Sequence, residues 1–463
     1  MEQQELETLI SNFEELKKKV VATKPAFDFD KISKQYDVSG HAVMNETLRP
    51  KKKVETDDGA SFVDVARLPV PFQKKIVQLA AAFLCGNPIQ LVANPESEIE
   101  KSLVGILTKT WDDNKLDYDS KGILKLMMKE TEVAELWYTE PVDGEYWKGT
   151  FNQGSNFRLR MKILANSLGD KLYPVYNNAG DMIAFGRGYF LPEGDKKIEH
   201  FDLYTDKATI KGKKTDAGWE TTPETNMIGK IPVIYYNQDA VEWADVQQLI
   251  ERYETSISNH GDTNDYFGSP IVFVEGEVTG FAKKGEQGKV LQGENGAKAE
   301  YLSWDQSPES VKLEQTNLRS LILDFSDTPD ISIEKMQSLG TFSGIALKML
   351  FLGAHLKASD KEEVFGKGIQ RRINFLKAAN AIINLKLKPS LTLSVKPKFT
   401  YYLPSNEKEM IDLLTSAVGT GRPILSQKTA VGLNPLVQNA DDEQKQIDQE
   451  KKDAQEGLND LMQ

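Results

Sequence analysis

The feature that most constrains this fold is a proline-free stretch, Ser343–Lys388, which starts with serine and ends just before Pro389. In its second half, apolar residues such as Ile369, Ile373 and Leu376 recur at spacings of three and four, which predicts a helix. A helix of that extent is about 65 Å long at about 1.5 Å per residue. Ordinary globular helices span about 8–20 residues. We therefore expect this stretch to be the axis of a coiled coil, a bundle or a ring assembly.

Glycines and a polar run interrupt the predicted helix. Gly353, Gly366 and Gly368 lie inside it, and Ser359–Glu363 forms a polar waist. A glycine in a helix interior costs about 1 kcal/mol relative to alanine. Such positions suit a bend or a close helix crossing. The pattern therefore predicts a kinked spoke rather than a straight coiled-coil rod.

Length and charge limit the classes of protein. The 463 residues allow two to four domains, since a domain takes about 100–200 residues. The formal net charge of −12 argues against a tight general nucleic-acid binder, because phosphate affinity comes from Lys and Arg. A single cysteine, Cys85, cannot form an intrachain disulfide, which suits a reducing compartment. Without a signal-peptide core or an apolar run of ~18 residues, we expect a cytosolic protein or part of a particle assembled there.

The sequence offers no catalytic, cofactor or metal site. It contains no GxxxxGK[ST], HExxH, CxxC or GxSxG pattern, and its four histidines are scattered. We therefore expect no enzyme activity, no cofactor and no bound metal.

The first half of the chain predicts an α+β region. The pattern gives an amphipathic helix over 2–20, for which packing on its own domain is favoured over a partner contact. A loop follows over 21–60, and its basic run Lys51–Lys53 suits a solvated loop better than a nucleic-acid patch. The later predicted elements are a helix over 70–85, mostly helix over 97–137, and antiparallel strands with hairpins over 138–235.

From residue 238 the pattern turns helical again. A helix to about residue 264 leads into a small strand-flanked insert over 268–306, which carries several glycines and lysines. A second helix over 308–326 and the loop Asp327–Thr341 then precede the long helix. A helix–insert–helix unit has little core of its own, which indicates a ring of copies with helices lining a channel.

The C-terminal part is predicted to be shorter and simpler. Residues 391–403 alternate as a strand, Glu407–Val418 form a helix, and the glutamine-rich acidic tail is either a solvated helix or disordered.

Three segments carry a likeness to a known family. One is Ile231–Val274, a proline-containing strand end leading into a helix and a strand. Its matching residues are Pro232, Asn237, Leu249, Ile250, Tyr253, Ser256 and Ser258. Another is SGIALKMLFLGAHLKASDKEEVFGKGIQRRINFL, which matches at Ser343, Gly344, Ala346, Leu347, Leu356, Lys357, Ala358, Lys361, Phe365, Gly368, Arg371 and Arg372. The third, LPVPFQKKIVQLAAAFLCGNPIQLV, ends a helix in Gly-x-Pro-Ile.

In this order, the segments resemble the portal proteins of tailed double-stranded DNA phages, in particular the siphophage type. The likeness covers most of residues 60–405. It implies an α+β portal fold with an α/β wing, a helical stem, a small β-containing clip, a long kinked wing helix and a helical crown. Such subunits form a funnel-shaped ring, usually of twelve, at one capsid vertex.

The resemblance also implies domain boundaries. It assigns residues 1–237 to the N-terminal wing, 238–267 to the first stem helix, 268–306 to the clip, 307–326 to the second stem helix, 327–342 to the tunnel loop, 343–405 to the long helix and return strand of the wing, and 406–463 to the crown and acidic tail.

Candidate site residues follow from the same resemblance. The tunnel loop at the channel constriction takes Asp327, Asp330, Ser332, Glu334, Lys335, Gln337, Ser338 and Thr341. The clip takes Lys283, Lys284, Lys289 and Lys298 as partner or DNA contacts, with solvated hairpin tips as an equal alternative. Arg371 and Arg372 are candidates for ion pairs between subunits. An acidic, small-residue loop suits a duplex that must slide, because strong phosphate contacts would hold it back. The alternative for the loop is an ordinary surface connection.

The implied partners are other copies of the chain, double-stranded DNA in the channel, the terminase large subunit, the major capsid and scaffolding proteins, and a head-completion adaptor. No membrane partner is expected. The implied location is the virion vertex, and the host cytoplasm during assembly. The alternative function is a non-catalytic intracellular coiled-coil scaffold, and an enzyme of unknown class is a weaker third.

Overall fold

The computed structural model of the chain describes residues 2–24, 28–56, 59–267, 271–275, 278–280, 292–293, 298–302, 308–332, 349, 351–402, 407–419, 423–434, 436–437 and 439–461. The chain divides into two compact units. The first unit comprises Met1–Pro329 with Ala354–Tyr401, and the second comprises Asp330–Gly353 with Tyr402–Gln463.

Helices account for much of the first unit and for the regular structure of the second. They are α1 (Gln3–Leu9), α2 (Phe13–Ala22), α3 (Phe29–Tyr36), α4 (Phe72–Cys85), α5 (Glu98–Asp113), α6 (Leu116–Glu130), α7 (Gln247–Phe267), α8 (Pro308–Phe325), α9 (Leu352–Ile383), α10 (Glu407–Val418), α11 (Gln427–Leu433) and α12 (Ala440–Leu461). Short 3-10 turns occur at Val38–Gly40, Ala42–Met44, Asn166–Leu168, Ala244–Val246 and Leu385–Thr392. None of the helices in the described part of the chain has the length and apolarity needed to cross a membrane.

The strands pair antiparallel. They are β1 (Lys52–Thr56), β2 (Gly59–Val63), β3 (Gln90–Ala93), β4 (Glu132–Pro141), β5 (Phe157–Leu164), β6 (Lys171–Tyr176), β7 (Met182–Glu193), β8 (Lys196–Thr205), β9 (Ala208–Thr215), β10 (Gly218–Thr225), β11 (Val233–Asn237), β12 (Ile271–Glu275), β13 (Val278–Gly280), β14 (Gln292–Gly293), β15 (Lys298–Leu302) and β16 (Val395–Lys398). The larger sheets have the orders β10-β9-β8-β7-β6 and β11-β4-β5, and the other pairs are β1-β2, β12-β15, β13-β14 and β16-β3. The hairpins predicted over 138–235 are therefore confirmed.

The amphipathic N-terminal segment packs on its own unit, as the sequence favoured. It forms two helices rather than one, because Asn12 caps the start of α2 by accepting a hydrogen bond from the Glu15 amide. Leu16 and other apolar residues of both helices are buried against the five-stranded sheet, where Phe201 and Leu203 belong to the same core.

Several predicted boundaries were wrong. Residues 132–137, expected to continue a helix, begin β4, because Thr131 adopts a left-handed conformation at the end of α6 and β4 pairs with strands on both sides. The stretch 21–60, expected as a loop, contains α3, capped by the Asp28 side chain, and the β1-β2 hairpin. Of the strand predicted over 391–403, the described residues 391–402 contain only the short strand β16, which pairs with β3.

Of the two helices that flank the insert, one matches its predicted bounds and the other starts later than predicted. The second, α8, lies where it was expected, whereas α7 begins at Gln247 rather than at residue 238 because a 3-10 turn, Ala244–Val246, precedes it. In the second unit, the predicted helix over 407–418 is confirmed as α10. The acidic tail takes the helical alternative, as α12.

The long helix is a core element of the first unit. Of the predicted stretch, 343–348 and 350 lie outside the described residues, and α9 ends at Ile383. Phe365, Ile369 and Leu376 are at most 1% exposed, so its apolar face is used within its own unit rather than in a coiled coil. The helix runs through Gly366 and Gly368 as one element, and the kink there stays a prediction.

Gly368 allows a close approach of another element, but not the helix crossing that the sequence predicted. A Cβ atom on Gly368 would lie 2.1 Å from the ring of Tyr236 in β11. The close neighbour is therefore a strand residue rather than a second helix.

A glycine in the sheet makes the contact with α2 possible. A Cβ atom on Gly212 in β9 would lie 2.3 Å from the ring of Phe13, which meets Phe201 edge-on at 6.0 Å between ring centroids. The sheet and α2 approach each other at a distance that only glycine allows at this position.

We expect Gly212→Ala to lower the free energy of unfolding by about 1–3 kcal/mol, because it overpacks a filled core. Urea unfolding followed by tryptophan fluorescence measures the loss. The matched control is Gly188→Ala in β7, where a Cβ atom meets its nearest neighbour at 3.5 Å, an ordinary contact. Equal stability of the two variants would contradict the packing argument.

Candidate functional site at the junction of α7, α8 and α9

An extended strap, residues 66–70, runs along one face of α7. The Ala66 amide donates to Asp262 Oδ1 at 2.7 Å and the Leu68 amide donates to Ser258 Oγ at 3.0 Å. The Val70 amide donates to Glu254 Oε1 at 2.7 Å. Two residues of extended chain advance about 6.6 Å, and four residues of helix advance about 6 Å. Every second amide of the strap therefore meets every fourth side chain of the helix.

The strap is held at both ends by side chains that pair with the acidic residues of α7. Glu254 is 1% exposed and lies 2.6 Å from the ring Nδ1 of His41, which is 4% exposed. At the other end, Arg49 donates to Asp262 at 2.6 Å and to the Ala66 carbonyl at 2.8 Å. A buried carboxylate without partners would destabilise the fold. These two contacts, His41 with Glu254 and Arg49 with Asp262, therefore fix the strap on α7.

α7 is joined to α8 by a contact at the surface. Arg252 donates from Nε and Nη2 to Glu314 Oε1 at 2.9 and 2.6 Å, and Ser256 adds a hydrogen bond to Glu314 Oε2 at 3.3 Å. Half-exposed pairs of this kind contribute at most about 1 kcal/mol. Leu318 and Ile322 of α8 are also buried.

A buried lysine of α9 fastens the end of α8. Lys357 Nζ donates to the carbonyl oxygen of Ser326 at 2.6 Å and lies 3.1 Å from Glu242 Oε1. Lys361, one turn further along α9, lies 2.8 Å from Glu242 Oε2. Burial opposes ionisation of Glu242, yet the two lysines hold its pKa below the usual value. Burial lowers the pKa of Lys357.

The predicted tunnel loop starts next to the contact between Lys357 and Ser326. Asp327 is exposed and has a φ of 48°, the left-handed region, so the chain turns sharply after α8. The Thr328 amide returns to the Leu323 carbonyl at 2.9 Å and its side chain is buried. The base of the loop is thus held in one conformation by α8 and by Lys357.

Few of the other predicted loop and clip residues fall in the described part. In the second unit, Asp330 accepts a hydrogen bond from the Ser332 amide at 3.2 Å, a local turn. In β15, Lys298 is exposed and is in register opposite Glu275 of β12. Outside the described residues lie Glu334, Lys335, Gln337, Ser338, Thr341, Lys283, Lys284 and Lys289.

The structure corrects the prediction for Arg372. Its side chain is fully buried, and its guanidinium pairs with Glu135 of β4 and donates to Ser120 Oγ of α6 at 2.8 Å. Glu135 also accepts from the Tyr236 hydroxyl at 2.6 Å. Burial opposes the charge, yet Glu135 holds the pKa of Arg372 above its usual value. This arginine is therefore used inside its own subunit and does not reach another.

The sequence pattern around Arg372 predicts its burial. Position 372 falls three residues after Ile369 and four before Leu376, which places Arg372 on the apolar face of the helix. Glu135 likewise interrupts an apolar strand run. An acid and a base that each interrupt an apolar pattern are a candidate buried pair.

Arg371, in contrast, is exposed and stays a candidate for contacts between subunits. It lies at a groove of about 650 Å³ between α9 and the segment that follows β11. Within the described residues, no group of His, Cys, Asp and Glu side chains is arranged to hold a metal ion.

Comparison with known protein families gives one match that covers most of the chain. A family model described as "Phage portal protein, SPP1 Gp6-like" matches residues 24–457. Among solved structures, the chain is similar to one in "Neck of empty GTA particle computed with C6 symmetry", with 11% identity over 79% of this chain and 90% of that chain and a TM-score of 0.39. The comparison with curated proteins gives no match.

We expect Arg372→Met to lower the free energy of unfolding by about 3–5 kcal/mol, because it leaves Glu135 buried without its counter-charge. Urea unfolding of the purified chain measures the effect. Arg371→Met, the same change one residue earlier at an exposed position, is the control and should shift stability by about 0.5 kcal/mol or less. Indistinguishable results for the two variants would show that the buried pair does not support the fold.

Proposed function

The chain belongs to the phage portal protein family of the SPP1 Gp6-like type, and from this membership we propose that its copies form a ring-shaped channel at one capsid vertex. Double-stranded DNA passes through this channel during packaging and again during ejection. The observation that carries the proposal is the family match over residues 24–457. The role is structural and translocating, without catalysis.

The surface of α8 supports a ring of side-by-side subunits. Leu313, Leu321 and Phe325 are 61%, 39% and 69% exposed, and their spacings of eight and four place them on one face. An apolar stripe of this kind on a helix is unfavourable in water and favours packing against another helix. In the ring, the α7–α8 pair of each subunit forms the stem, and neighbouring pairs cover one another's exposed faces.

The loop after α8 acts at the channel constriction. Its base at Ser326 is fixed by Lys357, and its first residue, Asp327, is acidic and exposed. A chain of net charge −12, repeated around a ring, repels phosphate and so lets a duplex slide. The fixed base sets the radius at which the loops meet the DNA.

The remaining parts of the chain contact other components. The insert over 268–306, with Lys298 among its exposed residues, forms the clip that docks the terminase motor and later the head-completion protein. Residues 1–237 form the wing, which faces capsid and scaffolding proteins. The ring has twelve subunits, assembles in the host cytoplasm and becomes part of the virion.

Imaging tests the ring directly. Negative-stain images and native mass of the purified chain should show a closed ring whose hole is wide enough for a DNA duplex. Only dimers or trimers in the form of rods would refute the channel and favour a coiled-coil scaffold.

The anchor of the loop provides a separate test. We expect Lys357→Met to leave ring assembly intact and to reduce the DNA packaged per particle, because the Ser326 carbonyl and the loop base lose their fixed donor. The DNA content of particles assembled with cognate proheads and terminase is the measurement. Lys367→Met, an exposed lysine on the same helix, is the control. If Lys357→Met abolishes the ring instead, the junction serves assembly and not the channel.

A further inference from the structure

The chain after α9 makes a 3-10 helix of unusual length. It covers the eight residues Leu385–Thr392, whereas 3-10 helices rarely exceed about four residues. Side chains eclipse at every third position of such a helix. Burial follows this period, since Leu387, Ser390 and Leu393 are buried and the residues between them are exposed. The 3-10 helix therefore has one buried row and two exposed rows.

One exposed row consists of two leucines with a lysine between them. Leu385 is 61% exposed and Leu391 is 39% exposed, and Lys388 lies midway in the row. Neighbouring members are about 6 Å apart, because a 3-10 helix rises about 2.0 Å per residue. Single exposed leucines are common on protein surfaces, whereas grouped apolar side chains rimmed by polar ones mark interaction sites. We call these three residues the leucine–lysine row.

Further apolar surface lies at the same end of α9. Ile382, in the last turn of the helix, is 37% exposed. Phe151 is 39% exposed, and its carbonyl oxygen accepts a hydrogen bond from Asn384 Nδ2 at 2.8 Å. Both residues enlarge the apolar area available to a partner.

The leucine–lysine row is held rigidly. At the start of the 3-10 helix, the Asn384 side chain accepts a hydrogen bond from the Lys386 amide at 3.1 Å. Beyond its end, the buried Lys377 of α9 donates to the Leu393 carbonyl. The 3-10 helix also packs on α5. A surface that is already ordered loses little conformational entropy when a partner binds.

The chain around this row is basic. Between Glu363 and Glu407 it carries eight lysines and arginines and no aspartate or glutamate, although the whole chain has a net charge of −12. Lys386 and Lys388 are exposed and form no ion pair within the described part of the chain. The 3-10 helix therefore presents two free positive charges.

Carboxylates on the elements beside the 3-10 helix are mostly engaged elsewhere. In α5 and in the segment that contains Phe151, the ion pairs are Glu98 with Lys101, Asp113 with Lys109, and Glu145 with Lys148, while Glu100 and Asp143 accept hydrogen bonds from backbone amides. Asp112 of α5 is exposed and has no such partner among the described residues. The two free lysines outnumber this one carboxylate, so the surface stays positive.

We propose that the leucine–lysine row is a docking surface for an acidic amphipathic helix of another protein. A helix with an apolar, an acidic and an apolar residue at intervals of four presents them about 6 Å apart, the spacing of the row. That this protein is a component of the particle rests on the proposed function.

The same surface is poorly suited to other ligands. A strand binds by adding to an open sheet edge, whereas a 3-10 helix bonds its backbone groups internally. The phosphates of a nucleic acid would pair with Lys388 but leave Leu385 and Leu391 in water. A helix that buries the leucines and pairs with the lysine satisfies the whole row.

A charge swap between chain and probe tests the pairing. The probe is a fluorescent helical peptide with leucine, glutamate and leucine at intervals of four and further glutamates beside them. Fluorescence anisotropy should show saturable binding to the full chain. Lys388→Glu should weaken binding about tenfold or more, and a probe with lysine in place of the central glutamate should recover it. A variant that had only lost structure would not recover.

Controls separate the row from general charge and apolarity. Lys386→Glu makes the same charge change on the other exposed row and should alter binding by about twofold or less. Leu385→Ser with Leu391→Ser should abolish binding. Phe190→Ser with Leu191→Ser, at residues of β7 that are 53% and 46% exposed, should leave it unchanged. Circular dichroism and thermal unfolding establish that all variants are folded.

The outcomes are distinct. Absence of binding to the native chain, or equal binding by Lys388→Glu, overturns the docking surface. Binding of a DNA duplex that is lost in Lys388→Glu would assign the lysine to phosphate contacts and also overturn it. Loss of the native ring in Lys388→Glu would assign the row to a contact between copies, with the same consequence. If the native chain forms no ring but binds the probe through Lys388, the proposed function fails and the docking surface stands.

Particle assembly gives a second readout. Lys388→Glu rings, mixed with cognate capsid and scaffolding proteins, should enter proheads several-fold less often than native or Lys386→Glu rings. The ratio of this chain to capsid protein in purified proheads is the measurement. Equal entry of all three would show that the row serves no partner in the particle and would overturn the proposal.

Discussion

The buried ion pair between Arg372 and Glu135 is the interaction on which the first unit depends. It fastens α9 to the middle strand of the β11-β4-β5 sheet and, through Ser120, to α6. In the low dielectric of the interior neither charge is tolerated without the other, so the three elements have one arrangement that satisfies both. The Tyr236 hydroxyl donates a further hydrogen bond to the Glu135 carboxylate, and the Tyr236 ring lies against Gly368 of α9.

The helix α9 makes two buried contacts that hold other elements in place. Its buried Arg372 sets its position against the sheet, and its buried Lys357, about four turns earlier, holds the end of α8. One helix therefore contacts both the base of the loop and the sheet. In the proposed ring, this helix connects the channel of each subunit with the part of the subunit that lies outside it.

Sequence patterns predicted most elements whose side chains alternate or recur cleanly, such as α4 and the hairpins of the five-stranded sheet. They failed where contacts with distant parts of the chain determine the local structure. The run Glu132–Trp137 is apolar enough for either a helix or a strand, and pairing on both sides makes it a strand. The roles of Glu254 and His41 depend on a contact across 213 residues, which no local pattern contains. Of the candidate site, the sequence located the loop after α8 but not the lysine that anchors it.

The strap on α7 restricts which residues the helix can carry. Three backbone amides can be satisfied only if α7 offers acceptor side chains at every fourth position, here Glu254, Ser258 and Asp262. Apolar residues at those positions would leave the amides of the strap without partners, even though they suit a helix equally well. Two residues of the strap match four residues of the helix. A one-residue insertion in either segment would therefore turn the strap amides and their acceptor side chains away from each other. Length in this region is therefore as constrained as residue type, although the segment has no regular secondary structure.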